Sequence, residues 1–251
     1  MPADDKSWFM CVVGNFGHTL IGPARISEHP LQVGATVAIG ALMVYRVDRA
    51  VDDNYAINNN GGLLHVPGAM NEVGQFYDRI GTTLFILSSA GALATGGLLA
   101  NRPDIAQTAG IGLEAVLFTK IYTGFLKRTI SRARPFVDEG PRDFDFFKYN
   151  SPRPERSMPS GHTSSIFAFV TVLTERHPSW WLRIPAFAFA ASVAVQRMES
   201  RNHWLSDTFF GASLGYGIGR VISARHQSTD RADTTLQACL LPGGFGLKYN
   251  F

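Results

Sequence analysis

An uncharged stretch from Ile80 to Ala100 is the sequence feature that most limits how this chain can fold. At a rise of about 1.5 Å per residue, a helix of that length spans the hydrocarbon core of a bilayer. A second stretch, Ile105 to Phe125, is nearly as long but contains Glu114 and Lys120. The two stretches predict two long apolar helices, which suit either a membrane or the interior of a helical bundle.

Four other apolar runs are shorter. They are Leu31 to Tyr45, Thr163 to Thr174, Ile184 to Gln196 and the segment that follows Asp207. We therefore predict an all-α fold, a single domain over residues 1–251 built as a bundle of about six main helices and embedded in a membrane. Charged residues make up 17% of the chain, below the roughly 25% of typical soluble domains, which favours the membrane. A mean hydropathy of only +0.03 supports a soluble or periplasmic protein as the alternative.

The polar parts of the chain predict loops and a tail. Residues 48–72 are polar and contain the loop signal Asn58-Asn59-Asn60-Gly61-Gly62. Residues 226–251 form a C-terminal tail, in which the pattern around Pro242-Gly243-Gly244 resembles a short hairpin. Residues 136–158 form a long connection with several aromatic side chains. These side chains could hold an acyl chain, or they could only pack the loop onto the helices.

The charge of the chain excludes one class of partner. The net charge is +3, and no run of Lys and Arg is typical of a nucleic-acid-binding tract. Basic residues concentrate instead between Lys127 and Arg156. Cys11 and Cys239 are too few for a disulfide framework. We expect no nucleic-acid partner, and the oligomeric state stays open.

Two basic residues near the end of the second long apolar stretch could hold an anion. Lys127 and Arg134 are seven residues apart, so on one continuous helix both would project from the same face. Pro135 disfavours helical geometry at Arg134, which predicts that the helix ends there. Both side chains suit phosphate oxygens. Because Arg128 and Arg132 are close by, a solvated basic helix end is the alternative.

The second cluster combines a helix start with a histidine. Pro159-Ser160-Gly161-His162 precedes one of the apolar runs. Ser160 is a favoured N-cap residue, and the first turn of a helix leaves backbone N–H groups unpaired. Gly161 would let an anion approach that backbone, and His162 would stand where it can give or take a proton. An ordinary capped helix with a surface histidine is the alternative.

The third cluster combines a histidine with a carboxylate. His203 and Asp207 are four residues apart, so on a helix they would share one face and could hydrogen-bond. Such a carboxylate fixes the tautomer of the imidazole and leaves its other nitrogen free as a nucleophile. Arg197 ends the preceding apolar run and adds a third cation. A His–Asp pair that only stabilises a helix is the alternative.

Together the three clusters resemble the signature of the superfamily of type 2 phosphatidic acid phosphatases, class A acid phosphatases and vanadium haloperoxidases. That signature reads K-x6-R-P, P-S-G-H and S-R-x5-H-x3-D, and the chain matches it over a core of about residues 113–222. Gln196 stands where the family has Ser. Ser200-Arg201 has the wrong spacing to His203, so Arg197 is the arginine that matches.

The resemblance implies a metal-independent phosphatase acting on a phosphomonoester or diphosphate, such as a lipid phosphate or an isoprenoid diphosphate. His203 would attack phosphorus to form a phosphohistidine, with Asp207 orienting it. His162 would protonate the leaving alkoxide and then activate water. The residues implied to bind phosphate are Lys127, Arg134, Ser160, Gly161 and Arg197. No cofactor or metal is implied.

Several alternatives stay open. Two histidines and a carboxylate could hold iron, although the nearby cations would repel a metal ion and attract phosphate. A vanadium-dependent haloperoxidase would use the same anion site for its vanadate. A non-catalytic membrane protein with a relic site would use none of this chemistry. We expect the active site at one end of the bundle, on the non-cytoplasmic face, with Trp180 and Trp181 marking the opposite membrane interface.

Overall fold

The computed structural model describes residues 30–57, 68–150, 152–233, 237–241 and 244–248. The α-helices in these ranges are α1 Pro30–Leu42, α2 Asp48–Ile57, α3 Gly68–Ile80, α4 Thr82–Leu99, α5 Pro103–Ile130, α6 Gly161–Arg176, α7 Trp180–Glu199 and α8 Leu205–Asp233. A π-helical turn, Met43–Val47, joins α1 to α2, and short 3₁₀ turns cover Pro135–Val137 and Arg153–Glu155. Strand β1 (Gln237–Leu241) pairs antiparallel with β2 (Gly244–Lys248).

The six predicted helices are confirmed, and so is the C-terminal hairpin. Two further helices interrupt the polar segment that predicted a loop: α2 lies within residues 48–72, and the start of α3 overlaps the end of that segment. Polarity was misleading there because Asp48 and Asp52 of α2 form ion pairs with arginines of distant segments. The loop signal at residues 58–62 lies outside the described residues. Helix α8 also continues to Asp233, into the segment predicted as a tail.

Helix α6 is the centre of the bundle and packs against α5, α7 and α8. One apolar cluster joins Phe118 of α5, Phe169 of α6 and Ile222 of α8. A second cluster lies on the other side of α6, where Ile166 meets Tyr77 of α3. Because α6 has apolar partners on both sides, its position in the bundle is fixed. The residues at its N-terminal end are therefore also held in place.

Glycines let α8 approach α6 at backbone distance. A Cβ atom built on Gly211 would lie 2.7 Å from the carbonyl oxygen of Ser160, and one on Gly215 would lie 2.1 Å from that of Ser164. At Gly219 the corresponding distance is 2.8 Å, to the carbonyl oxygen of Ala168. Because real Cβ atoms do not come this close to backbone, the three positions require glycine for the observed packing.

Much of the outside of the bundle is apolar. Helices α4 and α5 are long and apolar enough to cross a membrane, and only 17% of the α4 window is buried inside the protein. Leu84, Leu87 and Leu98 of α4 are exposed. Such a surface favours contact with lipid, which indicates a membrane protein. Trp180 and Trp181 stack at the start of α7, with ring centroids 4.2 Å apart, and both are exposed.

Gly215→Ala should destabilise the bundle by forcing α6 and α8 apart. Overpacking of this kind costs about 1–3 kcal/mol, more than the roughly 1 kcal/mol that alanine gains over glycine in a helix. The measurement is the thermal unfolding midpoint in detergent, which should fall. Gly217→Ala is the matched control, because a Cβ at Gly217 meets nothing within 4 Å. A midpoint that rises equally in both variants would contradict the close-packing account.

Candidate active site

A cavity of about 330 Å³ collects residues from all three sequence clusters. It lies where the start of α4, the last turns of α5 and the start of α6 meet the connection between α7 and α8. The predicted site residues that line it are Lys127, Arg134, Gly161, His162 and His203. Segments far apart in the chain therefore place two cations and two imidazoles around one space.

Lys127 and Arg134, the two cations of the first cluster, line the cavity from different backbone conformations. Helix α5 ends at Ile130, and Ser131 adopts a left-handed conformation (φ 42°) whose N–H donates to the carbonyl of Lys127. Arg134 is extended, so the prediction of one continuous helical face through Arg134 is wrong. The ammonium of Lys127 donates to the carbonyl oxygens of Arg156 and Ser157 at 2.7 and 2.9 Å. These acceptors are neutral, so the charge of Lys127 stays available to an anion.

His203 lies in the connection before α8, not on the helix as its spacing from Asp207 predicted. Its Nδ1 is 3.6 Å from Oδ2 of Asp207 and 3.4 Å from the hydroxyl oxygen of Ser157. The Ser157 hydroxyl in turn donates to Asp207 through a short hydrogen bond. The serine therefore stands between the imidazole and the carboxylate. This arrangement favours a proton on Nδ1 and leaves Nε2 without a bond to either partner.

Burial sets the protonation of this pair. Desolvation lowers the pKa of His203, helped by the charge of Lys127 and opposed by Asp207. Desolvation alone would raise the pKa of Asp207, but the charge of Arg132 holds it below its usual value. At neutral pH the site therefore contains a neutral imidazole and an ionised carboxylate, which a nucleophilic nitrogen requires.

Arg132 holds the carboxylate in place. Its guanidinium is fully buried and contacts Asp207 and Asp48, each at 2.7 Å. It also donates to the carbonyl oxygen of Pro141 and lies 5.1 and 5.3 Å from the ring centroids of Phe144 and Trp204. The alternative of a solvated basic helix end is wrong for this arginine, which forms the centre of a buried ion network.

The start of α6 is confirmed, with Ser160 as the N-cap residue. Its side chain, however, caps no backbone group and instead accepts a hydrogen bond from Thr163 at 3.0 Å. Ser160 is fully buried, and its backbone N–H donates to the carbonyl oxygen of Asp207 at 2.9 Å. This contact ties the second cluster to the third. Gly161 and His162 follow directly and line the cavity.

Arg197 reaches the site through an acidic residue that the sequence clusters did not include. Its guanidinium lies 2.6 Å from a carboxylate oxygen of Asp78 in α3, and the other oxygen of Asp78 is 3.8 Å from Nε2 of His162. Gln196 accepts a hydrogen bond from Nε of Arg197 at 2.6 Å. The glutamine that departs from the family pattern thus orients the arginine. Burial and the charge of Arg197 lower the pKa of His162, while Asp78 raises it.

Arg201, which the spacing to His203 excluded from the site, has a different role. Its guanidinium forms two hydrogen bonds with Asp52, at 2.9 and 2.8 Å, and one with Asp138. These bonds tie α2 and the 136–158 connection to the end of α7. Arg197 is therefore the arginine next to the candidate catalytic histidines.

Ser157, Asp78 and Asp48 are the site residues that sequence reasoning missed, and Arg132 was noticed but misjudged. Each of them acts through a contact 46 or more residues away along the chain. No local spacing reports such a contact. The one available signal was the density of charge in segments next to the motifs, which predicted a basic loop but not its buried partners.

Comparison with known proteins gives concordant matches. The family model described as PAP2 superfamily matches residues 109–231. A lipid A 1-phosphatase of Rhizobium etli is 27% identical over 167 residues, which cover 61% of this chain and 70% of that protein. A lipid A 1-phosphatase of Porphyromonas gingivalis is 31% identical over 26% of this chain and 15% of its own length. A lipid A 1-phosphatase of Rhizobium johnstonii is 31% identical over 40% of this chain and 40% of its own length.

A solved structure is also similar. It is a transmembrane PAP2 type phosphatidylglycerolphosphate phosphatase from Bacillus subtilis, 18% identical, with a TM-score of 0.43 over 86% of this chain and 96% of that chain.

Arg132→Met should destabilise the fold strongly, because it leaves Asp48 and Asp207 buried without their counter-charge. Loss of one partner from a buried ion pair costs about 3–5 kcal/mol. The two carboxyls should then take up protons on folding, so the loss of unfolding free energy should be smaller at pH 5 than at pH 8. Denaturant unfolding in detergent measures both effects. Arg128→Met is the control, since that guanidinium is bonded within its own helix; equal losses in both variants would contradict the assigned role.

Proposed function

Because residues 109–231 of this chain belong to the PAP2 superfamily, we propose that this phosphatase hydrolyses the phosphate group of a membrane lipid through a phosphohistidine on His203, without a metal ion. The observation that carries the proposal is the cavity in which His203 and His162 meet Lys127 and Arg134. The relatives named lipid A 1-phosphatase support a lipid phosphate as the substrate class. The apolar exterior of α4 supports the same conclusion.

Phosphate binding would use the cations around the cavity. Lys127 and Arg134 approach from one wall, and the guanidinium of Arg134 already donates to the neutral oxygens of Arg153 and Asn202. Arg197 is held by Asp78, so a bound phosphate would compete with that carboxylate for the guanidinium. The N–H of Gly161 at the start of α6 adds a helix N-terminus, which favours an anion. Positioning and charge stabilisation of this kind are the main contributions of a protein to phosphoryl transfer.

The Ser160 hydroxyl is a weaker candidate for phosphate binding. It is buried and accepts a hydrogen bond from Thr163. To contact phosphate it would need to rotate into the cavity. Its backbone bond to Asp207 gives it a positioning role in either case.

In the first step Nε2 of His203 would attack phosphorus and the bond to the leaving alkoxide would break. The proton on Nδ1 faces Ser157 and, beyond it, Asp207. As the imidazole acquires positive charge, the ionised Asp207 stabilises it. Arg132 keeps that carboxylate from taking the proton. The product of this step is the phosphohistidine.

His162 would donate a proton to the alkoxide and then take one from the attacking water. Burial and the charge of Arg197 lower the pKa of His162, so these surroundings disfavour the imidazolium. A phosphate dianion adds negative charge to the same cavity and would raise that pKa. Substrate binding would therefore favour protonation of His162, the form that can act as a general acid. Hydrolysis of the phosphohistidine releases phosphate and restores both imidazoles.

The apolar surface supports a location in the membrane. Helices α4 and α5 would cross the membrane, and the cavity would lie at one interface, opposite Trp180 and Trp181. Phe146, Phe147 and Tyr149 of the long connection are exposed near the site end of the bundle and would contact the interface. The non-cytoplasmic orientation of the site stays a prediction.

His203→Ala should abolish turnover with every leaving group, whereas His162→Ala should depend on the leaving group. Loss of a general acid costs about 10²–10⁴-fold, and less with a leaving group that departs as a stable anion. Rapid quench of His162→Ala with a labelled activated ester should trap acid-labile, base-stable phosphate on the protein. His203→Ala should trap none.

His177→Ala is the matched control for the two histidine variants. That side chain lies at the opposite end of α6 and contacts Thr108, so this variant should turn over normally. Label that is trapped on His203→Ala would mean that the roles of the two histidines are reversed or that another group is the nucleophile.

Vanadate should inhibit competitively with the lipid substrate, and chelators should leave activity unchanged. A vanadate adduct on His203 would imitate the transition state, and such analogues bind more tightly than substrates. The cations that stabilise charge in this scheme are side chains, so EDTA has no ion to remove. The test is steady-state kinetics in detergent micelles with vanadate or EDTA. Activity that EDTA removes and a divalent metal restores would overturn the metal-free scheme.

A further inference from the structure

The catalytic cavity extends along α5 to a second lysine that the proposed chemistry does not use. Lys120, Thr123, Gly124 and Lys127 all line the cavity. Their spacing of three, four and seven residues places them on one face of the helix. Lys120 precedes Lys127 by two helical turns and contacts Thr83 at the start of α4.

Lys120 is an exposed cavity-lining cation with a neutral hydrogen-bond partner. Its ammonium donates to the hydroxyl of Thr83 at 2.9 Å, and among the described residues no carboxylate pairs with it. The helix around it is apolar enough to cross a membrane. An ionisable side chain in such a helix is costly, which makes Lys120 a candidate for a binding role.

The start of α4 adds to the positive potential near Lys120. Thr82, which lines the cavity, is the first residue of α4, and Gly81 before it offers no side chain as a cap. The first N–H groups of a helix have no intrahelical acceptor and favour an anion. Asp78, an acidic residue of the site, is engaged by Arg197 instead.

We propose that Lys120 and the start of α4 bind a second anionic group of the substrate, so that the enzyme selects lipid phosphates whose head group carries another negative charge. This inference rests on the proposed function. It concerns a head-group anion rather than the second phosphate of a diphosphate. Residues seven apart on a helix are separated by about 10 Å along its axis, whereas the two phosphates of a diphosphate share one bridging oxygen. Lys120 is thus a specificity residue, not a catalytic one.

The test uses two synthetic lipids with the same acyl chains and the same phosphomonoester. In one, a phosphodiester links the lipid to a three-carbon spacer that carries the monoester; in the other, a neutral methylphosphonate replaces the phosphodiester. Wild-type enzyme should hydrolyse the charged lipid with a kcat/KM about tenfold or more above that of the neutral lipid, the range expected for a hydrogen bond between charged groups. Most of the difference should be in KM.

Lys120→Met should remove this preference, and Lys120→Arg should keep it. The kcat/KM of Lys120→Met should fall for the charged lipid and change less than twofold for the neutral one. Arg183→Met is the control. It removes an exposed cation near the start of α7, at the end of that helix away from Arg197, and should leave both rates unchanged. If Lys120→Met does not fold, the inference is still tested by the preference of the wild-type enzyme for the charged lipid and by the preference of Lys120→Arg.

Equal rates of wild-type enzyme on the two lipids would overturn the inference and leave the proposed function intact. An equal loss on both lipids in Lys120→Met would also overturn it, because that result fits a lysine that only anchors the protein to lipid head groups. Hydrolysis of neither lipid, with a soluble phosphate ester still cleaved, would contradict the proposed lipid substrate and the inference together.

Discussion

The ion pairs of the buried Arg132 hold together the segments that build the candidate active site. The guanidinium follows α5, while its two carboxylate partners begin α2 and lie in the first turn of α8. Because an unpaired buried charge is very costly, these segments cannot separate independently. The position of Asp207, and through Ser157 that of His203, depends on this contact.

The close packing of α6 against α8 is the second contact that determines the geometry of the site. Glycines on α8 allow backbone contact with α6, and the same contact brings the N–H of Ser160 to the carbonyl of Asp207. His162 is two residues beyond Ser160. The relative position of the two histidines is therefore fixed by backbone packing rather than by flexible side chains, which suits the acid–base and nucleophilic roles proposed for them.

The cations of the cavity keep their charge available to a ligand. Lys127 and Arg134 are bound mainly by neutral carbonyl and amide oxygens, and Lys120 by a hydroxyl. Arg197, which does not line the cavity itself, faces the carboxylate of Asp78. By contrast Arg132 and Arg201, which lie outside the cavity, are fully paired with aspartates. The difference in partners separates arginines that hold the fold from cations that can bind phosphate.

The sequence alone determined the six apolar helices, the hairpin and the three motif clusters, because apolar runs and fixed spacings are local properties of the chain. It could not determine where α5 ends, since the left-handed turn at Ser131 stops the helix before Pro135. It also could not identify the partners of Arg132, the serine between His203 and Asp207, or the contact of Asp78 with Arg197. These contacts join residues 46 to 119 positions apart. Only the packing of the helices, driven by apolar burial and close glycine contacts, brings such residues together.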